Sequence, residues 1–156
     1  MNTPSPLLTS LQAYCQVFAT LTPQSVSSDL APLLAETVYF EDPFNQLYGK
    51  AETLRLFSHM FATVQQPQFS VLDFALSAET QGYIYWKFTY RRNHQLHHFK
   101  GVSKITFDED GLVQSHIDFW DPAKAIYQSL PVIGGLLRWL ERKIALPKNW
   151  HPKVNH

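Results

Sequence analysis

Charge and glycine are both scarce in this sequence. Only 17% of its 156 residues are Asp, Glu, Lys or Arg, and 13 basic and 13 acidic side chains cancel to a formal net charge of zero. Ordinary domains carry about 25% charged residues. No global field would recruit a polyanion, so no nucleic-acid partner is expected. With 6 glycines the chain has no phosphate-cradling loop and no Gly-x-Ser-x-Gly nucleophile elbow. The single cysteine, Cys15, has no internal disulfide partner. A reducing compartment follows as the simpler expectation, hence a soluble, cytoplasmic protein. No stretch approaches the roughly 20 apolar residues that span a bilayer. Met1 to Leu8 lacks the positive charge that precedes the apolar run of a secretory signal. Aromatics, by contrast, reach 14%, a surplus that suits an apolar cavity, a buried interface, or both.

The hydrophobic period divides the chain. Leu7, Leu8, Leu11, Tyr14, Cys15, Phe18 and Leu21 recur at three- and four-residue steps, predicting a first helix from Pro6 to about Leu21. Thr22-Pro23 breaks it, and a short second helix capped by Ser27 or Ser28 carries Leu30, Leu33 and Leu34. Val38 to Glu41 reads as a short strand, and Lys50 to Val64 as a third helix through Leu54, Phe57, Phe61 and Val64, ended by Gln65-Gln66-Pro67. Four strands follow: Phe69 to Glu79, Tyr83 to Arg92, His97 to Asp108 and Val113 to Asp121. Their short turns predict an antiparallel meander. In the second of them Ile84, Trp86, Phe88 and Tyr90 alternate with Tyr85, Lys87, Thr89 and Arg91, as in a sheet with one covered face. After Pro122 come a short helix, Ala123 to Leu130, and beyond Pro131 an apolar stripe of Ile133, Leu136, Leu137, Leu140 and Ile144 at helical spacing.

This order predicts an α+β fold in which helices pack across one face of a curved antiparallel sheet, a cone enclosing a pocket. Residues 1 to 130 form the cone domain, and residues 131 to 156 a helical extension packed on it.

Two stretches carry the chemistry: Tyr39-Phe40-Glu41-Asp42-Pro43 at the end of the first strand, and His116-Ile117-Asp118-Phe119-Trp120-Asp121 in the last. With the element order, they resemble the nuclear transport factor 2-like superfamily, of cystatin-like fold, and within it the SnoaL-like polyketide cyclase and ketosteroid isomerase branches. The resemblance covers roughly Leu7 to Leu130. It implies that Asp42, before a proline, matches the general base of the isomerases, and that Tyr14 matches their oxyanion-stabilising tyrosine. Ser103 falls where those enzymes have a protonated aspartate. The last strand looks like that of SnoaL-like domains, where an acid serves as base in ring closure. Family members pair through the convex face of the sheet, which implies a homodimer.

Read without the family, a carboxylate withdrawn from water among Tyr39, Phe44 and Tyr14 has its charged form disfavoured, and gains strength as a base at neutral pH. Asp42 equally suits a turn, because Asp before Pro accepts backbone hydrogen bonds. Glu41 points the opposite way, solvated or paired with a base such as Arg55. Tyr14 is a hydrogen-bond donor or simple helix-to-sheet packing. His116 and Asp118, two apart on one strand face, form either a His-Asp dyad or a polar pair on the outer face. Trp120 walls a pocket or meets a second subunit, and Asp121-Pro122 caps the next helix. Adjacent His97 and His98 diverge on a strand, so with His94 they predict a solvated hairpin end, with no metal and no cofactor.

The expectation is therefore a cofactor-independent isomerase, cyclase or hydrolase on a small hydrophobic molecule. Its catalytic candidates are Asp42, Asp118, His116 and Tyr14, with Tyr39, Phe44, Trp86, Ser103 and Trp120 around the substrate. The alternative is a non-catalytic binding module. Arg138, Trp139, Arg142 and Lys143, followed by Lys148 and Lys153, make the last helix basic and amphipathic, so membrane association through it is a further expectation beside a lid or dimer role.

Overall fold

Alternation in the second half of the chain is the strongest instruction in the sequence, and it builds the sheet. The structure is a computed structural model that describes residues 5–127 and 131–144. The expected helix end at Leu130 and the cations Lys148 and Lys153 lie outside the described residues, as do the side chains of Ile133, Glu141 and Ile144. The chain divides into two units, Met1–Trp120 and Asp121–His156, each described by itself.

In the first unit, α1 (Pro6–Ala19) and α2 (Lys50–Thr63) accompany six strands: β1 (Leu34–Glu41), β2 (Gln46–Tyr48), β3 (Gln65–Ala78), β4 (Gln81–Arg92), β5 (Gln95–Phe107) and β6 (Val113–Trp120). The sheet order is β2-β1-β6-β5-β4-β3, so the expected meander runs from β3 to β6 and β1 lies parallel to β6. Register shifts interrupt the β3–β4 ladder between Gln65 and Gln68, Val71 and Asp73, and Leu76 and Ala78. Such bulges bend a strand and raise its twist, which is why the sheet curves.

Three strands bury apolar side chains on the covered face: Leu34, Val38 and Phe40 on β1, Ile84, Trp86 and Phe88 on β4, Ile105 and Phe107 on β5. From α1, Leu11, Tyr14, Cys15 and Phe18 are buried at three- and four-residue steps, and from α2, Thr53 and Phe57. Withdrawing each large apolar side chain from water contributes about 1.5–3 kcal/mol, so these residues fix which face of the sheet the helices cover.

Several expectations need correction. The second helix is only a wide helical turn, Val26–Leu30, running into a tight one, Ala31–Leu33, and it is entered through Thr22 and Ser25 rather than Ser27 or Ser28. Pro32 removes a backbone donor there, and Leu34 already belongs to β1. β2 was not expected. Three residues are too few to show a period, and β2 exists because β1 offers it an edge, Tyr39 facing Tyr48 and Glu41 facing Gln46. Gln65 and Gln66 do not end the third helix in a loop; they start β3, with Gln66 at φ 49. Asn93 and His94, at φ 50 and 62, make the β4–β5 turn, the left-handed pair a two-residue hairpin needs.

In the second unit Asp121 caps α3 (Pro122–Ala125) as expected, its carboxylate accepting from the backbone N–H of Ala123 at 2.9 Å and Lys124 at 3.3 Å. α4 spans Pro131–Ile144.

One glycine matters for everything below. Gly101 on β5 faces Trp86 on one side and Trp120 on the other. A Cβ there would overlap the six-membered ring of Trp86 and stand 2.9 Å from the Phe119 carbonyl oxygen. Gly101→Ala is therefore expected to destabilise the fold by about 1–3 kcal/mol, the usual cost of overpacking, seen as a lower urea midpoint.

Candidate active site

On β6 the pleat turns Ser115, Ile117 and Phe119 outward and His116, Asp118 and Trp120 toward the covered face. His116 stands opposite Ile105 of β5 and Phe40 of β1. Asp118 stands opposite Ser103. Because Gly101 has no side chain, the Trp86 indole lies across β5 and reaches Ser103 two residues along. From above, α1 lowers Tyr14 onto the imidazole and Phe18 beside it.

The result is one chain of hydrogen bonds across four elements. Trp86 Nε1–H donates to Ser103 Oγ at 2.8 Å, and Ser103 Oγ–H donates to Asp118 Oδ1. His116 Nε2 lies 2.8 Å from the same Oδ1, and Tyr14 Oη lies 2.8 Å from His116 Nδ1. Proton accounting fixes the directions. An ionised carboxylate only accepts, so Nε2–H donates to Asp118; Nδ1 of the neutral ring is then an acceptor and takes the Tyr14 O–H. Two donors thus meet one carboxylate oxygen, and each of the two is held by a further donor.

Tyr14, Ser103 and His116 are 1%, 2% and 3% exposed. Tyr14 is held protonated, its pKa well above 10.0, first because burial disfavours the phenolate and then because the Asp118 charge opposes it. Burial likewise pushes the neighbouring Cys15 thiol up to about 11. The imidazole sits among rings, 5.0 Å from Phe40, 5.6 Å from Phe18 and 5.8 Å from Tyr14.

Asp118 Oδ1 carries both hydrogen bonds. Oδ2 accepts none among the described residues, and no buried side-chain polar atom there lacks a partner, so Oδ2 is the open end of the carboxylate. Asp118 lines a cavity with Ser103, His116, Trp86, Phe18, Phe69, Val71 and Ile84. That cavity encloses only about 10 Å³, room for one water molecule. A larger cleft of about 170 Å³ is lined by Thr9, Ser10, Ala13, Tyr14, Leu33, Phe107, Gly111 and Val113 and contains no carboxylate or imidazole.

The structure thus brings together five of the residues expected from the sequence: Tyr14, Trp86, Ser103, His116 and Asp118. Tyr14, however, directs its hydroxyl at His116 and is not among the groups lining the cavity. Asp42 does not join them. Its Oδ1 accepts from the backbone N–H of Phe44 at 2.7 Å and of Asn45 at 2.8 Å, and from Asn45 Nδ2 at 3.0 Å, closing the β1–β2 turn. Tyr39 points away with the alternation, packs on Tyr48 at 5.0 Å and donates to Glu41 Oε2, which raises its own pKa to about 12. Glu41 therefore pairs with Tyr39 and not with Arg55, which lies 3.6 Å from Glu52. Phe44 and Trp120 belong to an aromatic row reaching the cavity: ring centroids are 5.4 Å apart from Phe44 to Trp120, 4.8 Å from Trp120 to Phe99 and 5.9 Å from Phe99 to Trp86. Phe18, Phe69 and Phe99 were not singled out. For Phe18 the signal was its place one helical turn after Tyr14.

The sequence profile of the SnoaL-like domain matches residues 11–116. The chain belongs to this family. No curated protein matches it. Among solved structures, an NTF2-like protein of unknown function from Exiguobacterium sp. 255-15 shares 13% identity over 72% of this chain and 98% of its own, with a TM-score of 0.62. A putative polyketide cyclase from Xanthomonas campestris shares 14% over 76% and 92%, with a TM-score of 0.62. A Mycobacterium tuberculosis protein in complex with estradiol-17β-hemisuccinate shares 14% over 75% and 95%, with a TM-score of 0.59. These likenesses establish the nuclear transport factor 2-like fold. The profile match ends at His116, two residues before the carboxylate on which this SnoaL-like site converges.

Because Tyr14 keeps its proton in the folded state beyond 10.0, while an unfolded tyrosine releases it near that pH, the folded state loses stability as pH rises above about 10. Urea midpoints should fall across this range in the wild type and fall less in Tyr14→Phe. At neutral pH the same variant should be about 1–3 kcal/mol less stable, since His116 Nδ1 is left buried without a donor.

Proposed function

We propose that this SnoaL-like protein is a cofactor-independent acid–base enzyme for a small hydrophobic substrate, with Asp118 as the proton-transferring group. The observation that carries this reading is the division of labour within one carboxylate: Oδ1 is held by His116 and Ser103, while Oδ2 is open beside apolar walls. A base so held is oriented before substrate arrives, which favours proton transfer. His116 is a positioning residue, and Tyr14 and Trp86 hold His116 and Ser103 in turn.

The donors around the cavity are all taken, so the site offers a base without a preformed oxyanion hole. A substrate suited to it has its C–H already acidified, as between two carbonyls of a polyketide. Asp118 Oδ2 takes that proton, the carbanion closes onto a second carbonyl, and the proton returns to the resulting alkoxide. The putative cyclase and the steroid-bound protein with the same fold support this substrate class. The space of about 10 Å³ requires the rings of Phe18 and Phe69 to move when substrate enters. The mostly apolar lining, Phe18, Phe69, Val71, Ile84 and Trp86, also suits a second reading, a binding module without turnover.

A 1,3-dicarbonyl probe in D2O, followed by NMR, separates the two. Wild type should catalyse exchange of the activated C–H, Asp118→Asn should lose about 100-fold or more, and Asp42→Ala should retain exchange while losing about 1 kcal/mol of stability. Saturable binding with no exchange by the wild type would support the binding module instead.

A reducing, cytoplasmic setting fits the single buried Cys15. The proposed homodimer uses the outer face of the sheet, where Tyr85 faces Val102 and Val102 faces Phe119 across β4, β5 and β6, and Tyr85 and Phe119 are 39% and 57% exposed. Light scattering should give twice 18.0 kDa, and Tyr85→Asp with Phe119→Asp should halve it. A monomeric wild type would refute the pairing.

A further inference from the structure

The charges of this neutral chain are unevenly shared. Residues 131–156 hold five of its 13 basic side chains and one of its 13 acids, giving +4, and residues 1–130 hold the remaining eight and twelve, giving −4. Within the positive stretch, α4 exposes large apolar groups. Val132 is 84% exposed, Leu136 57%, Trp139 49% and Leu140 39%, at steps of four, three and one, which is one arc of a helix. Gly134 on another side of the helix is buried and Leu137 half-buried, so the exposed arc is not a consequence of a wholly solvated helix.

Cations accompany the arc. Arg142 and Lys143 are exposed in the last turn, and Lys143 Nζ stands 5.7 Å from the centre of the Trp139 ring. An indole beside an ammonium, with aliphatic groups one and two turns away, matches the boundary between acyl chains and headgroups, where lysine stems lie along apolar surface and their charge stays in water. Fourteen residues make a helix of about 21 Å, too short to cross a bilayer and suited to lying in its plane. Among the described residues no helix is long and apolar enough to cross a membrane. Four side chains on one helix also offer far less than the roughly 800 Å² per partner of a stable protein interface.

We propose that the arc of Val132, Leu136, Trp139 and Leu140, flanked by Arg142 and Lys143, docks this protein on anionic lipid surfaces. The proposal is independent of the acid–base reading. It is tested with the full chain by co-sedimentation with vesicles of phosphatidylcholine alone and of phosphatidylcholine with phosphatidylserine. Binding is expected only to the second, falling at least about tenfold on raising salt or in Arg142→Glu/Lys143→Glu, because each cation near such a surface contributes severalfold. Leu136→Glu should abolish it with the far-ultraviolet circular dichroism unchanged. The proposal is overturned if the wild type sediments with neither vesicle, if it sediments equally with both, or if Leu136→Glu binds like the wild type. It is also overturned if Leu136→Glu instead dissolves a self-association of the chain, which would assign the arc to a second copy.

Discussion

A carboxylate among aromatic rings is tolerable only if its lost water is replaced, and the core of this protein is arranged around that requirement for Asp118. Uncompensated, a buried charge costs several kcal/mol. Here Ser103 and His116 donate to one oxygen, and each is held by a further donor, Trp86 and Tyr14. The chain couples distant parts of the sequence. Tyr14 and His116 lie 102 residues apart, so the site forms only once α1 has docked on the finished sheet.

The demand reaches down to single atoms of the backbone. Trp86 bonds Ser103 because Gly101 leaves room for its ring, and Ser103 meets Asp118 because the β5–β6 register sets them face to face. A one-residue slip would turn His116 and Asp118 to the outer face. Phe18 and Phe40 pack against the imidazole and keep it in one orientation, and Phe57 packs against both of them. Close packing of this kind fixes the His116–Asp118 pair and leaves little free volume, so rigidity and the smallness of the cavity have one origin.

The β1–β2 turn shows a carboxylate used in the opposite way. Asp42 satisfies two backbone donors and the Asn45 amide, all within three residues of itself. Its partners are local and it needs no tertiary contact to hold it. Asp118 depends on residues from two strands and, through His116, on a helix. Two acids of the same type thus serve a turn and a site according to where their donors come from.

Much of this was readable from residue order. The alternation of Ile84, Trp86 and Phe88 against Tyr85 and Lys87 determined a half-covered sheet, because successive side chains on a strand must face opposite ways. The three- and four-residue steps of Leu11, Tyr14, Cys15 and Phe18 determined the buried face of α1, and Asp121-Pro122 its own helix cap. His116 and Asp118 shared a face by spacing alone. The same alternation placed Tyr39 opposite Phe40, on the outer face, although its nearness to Asp42 had suggested a role at the pocket. What spacing did not determine was which face of β6 meets the helices, whether Asp42 or Asp118 enters the core, or that Trp86 reaches Ser103 over Gly101. Those depend on strand order and register, set by side chains far apart in the chain burying one another, and no local pattern contains that information.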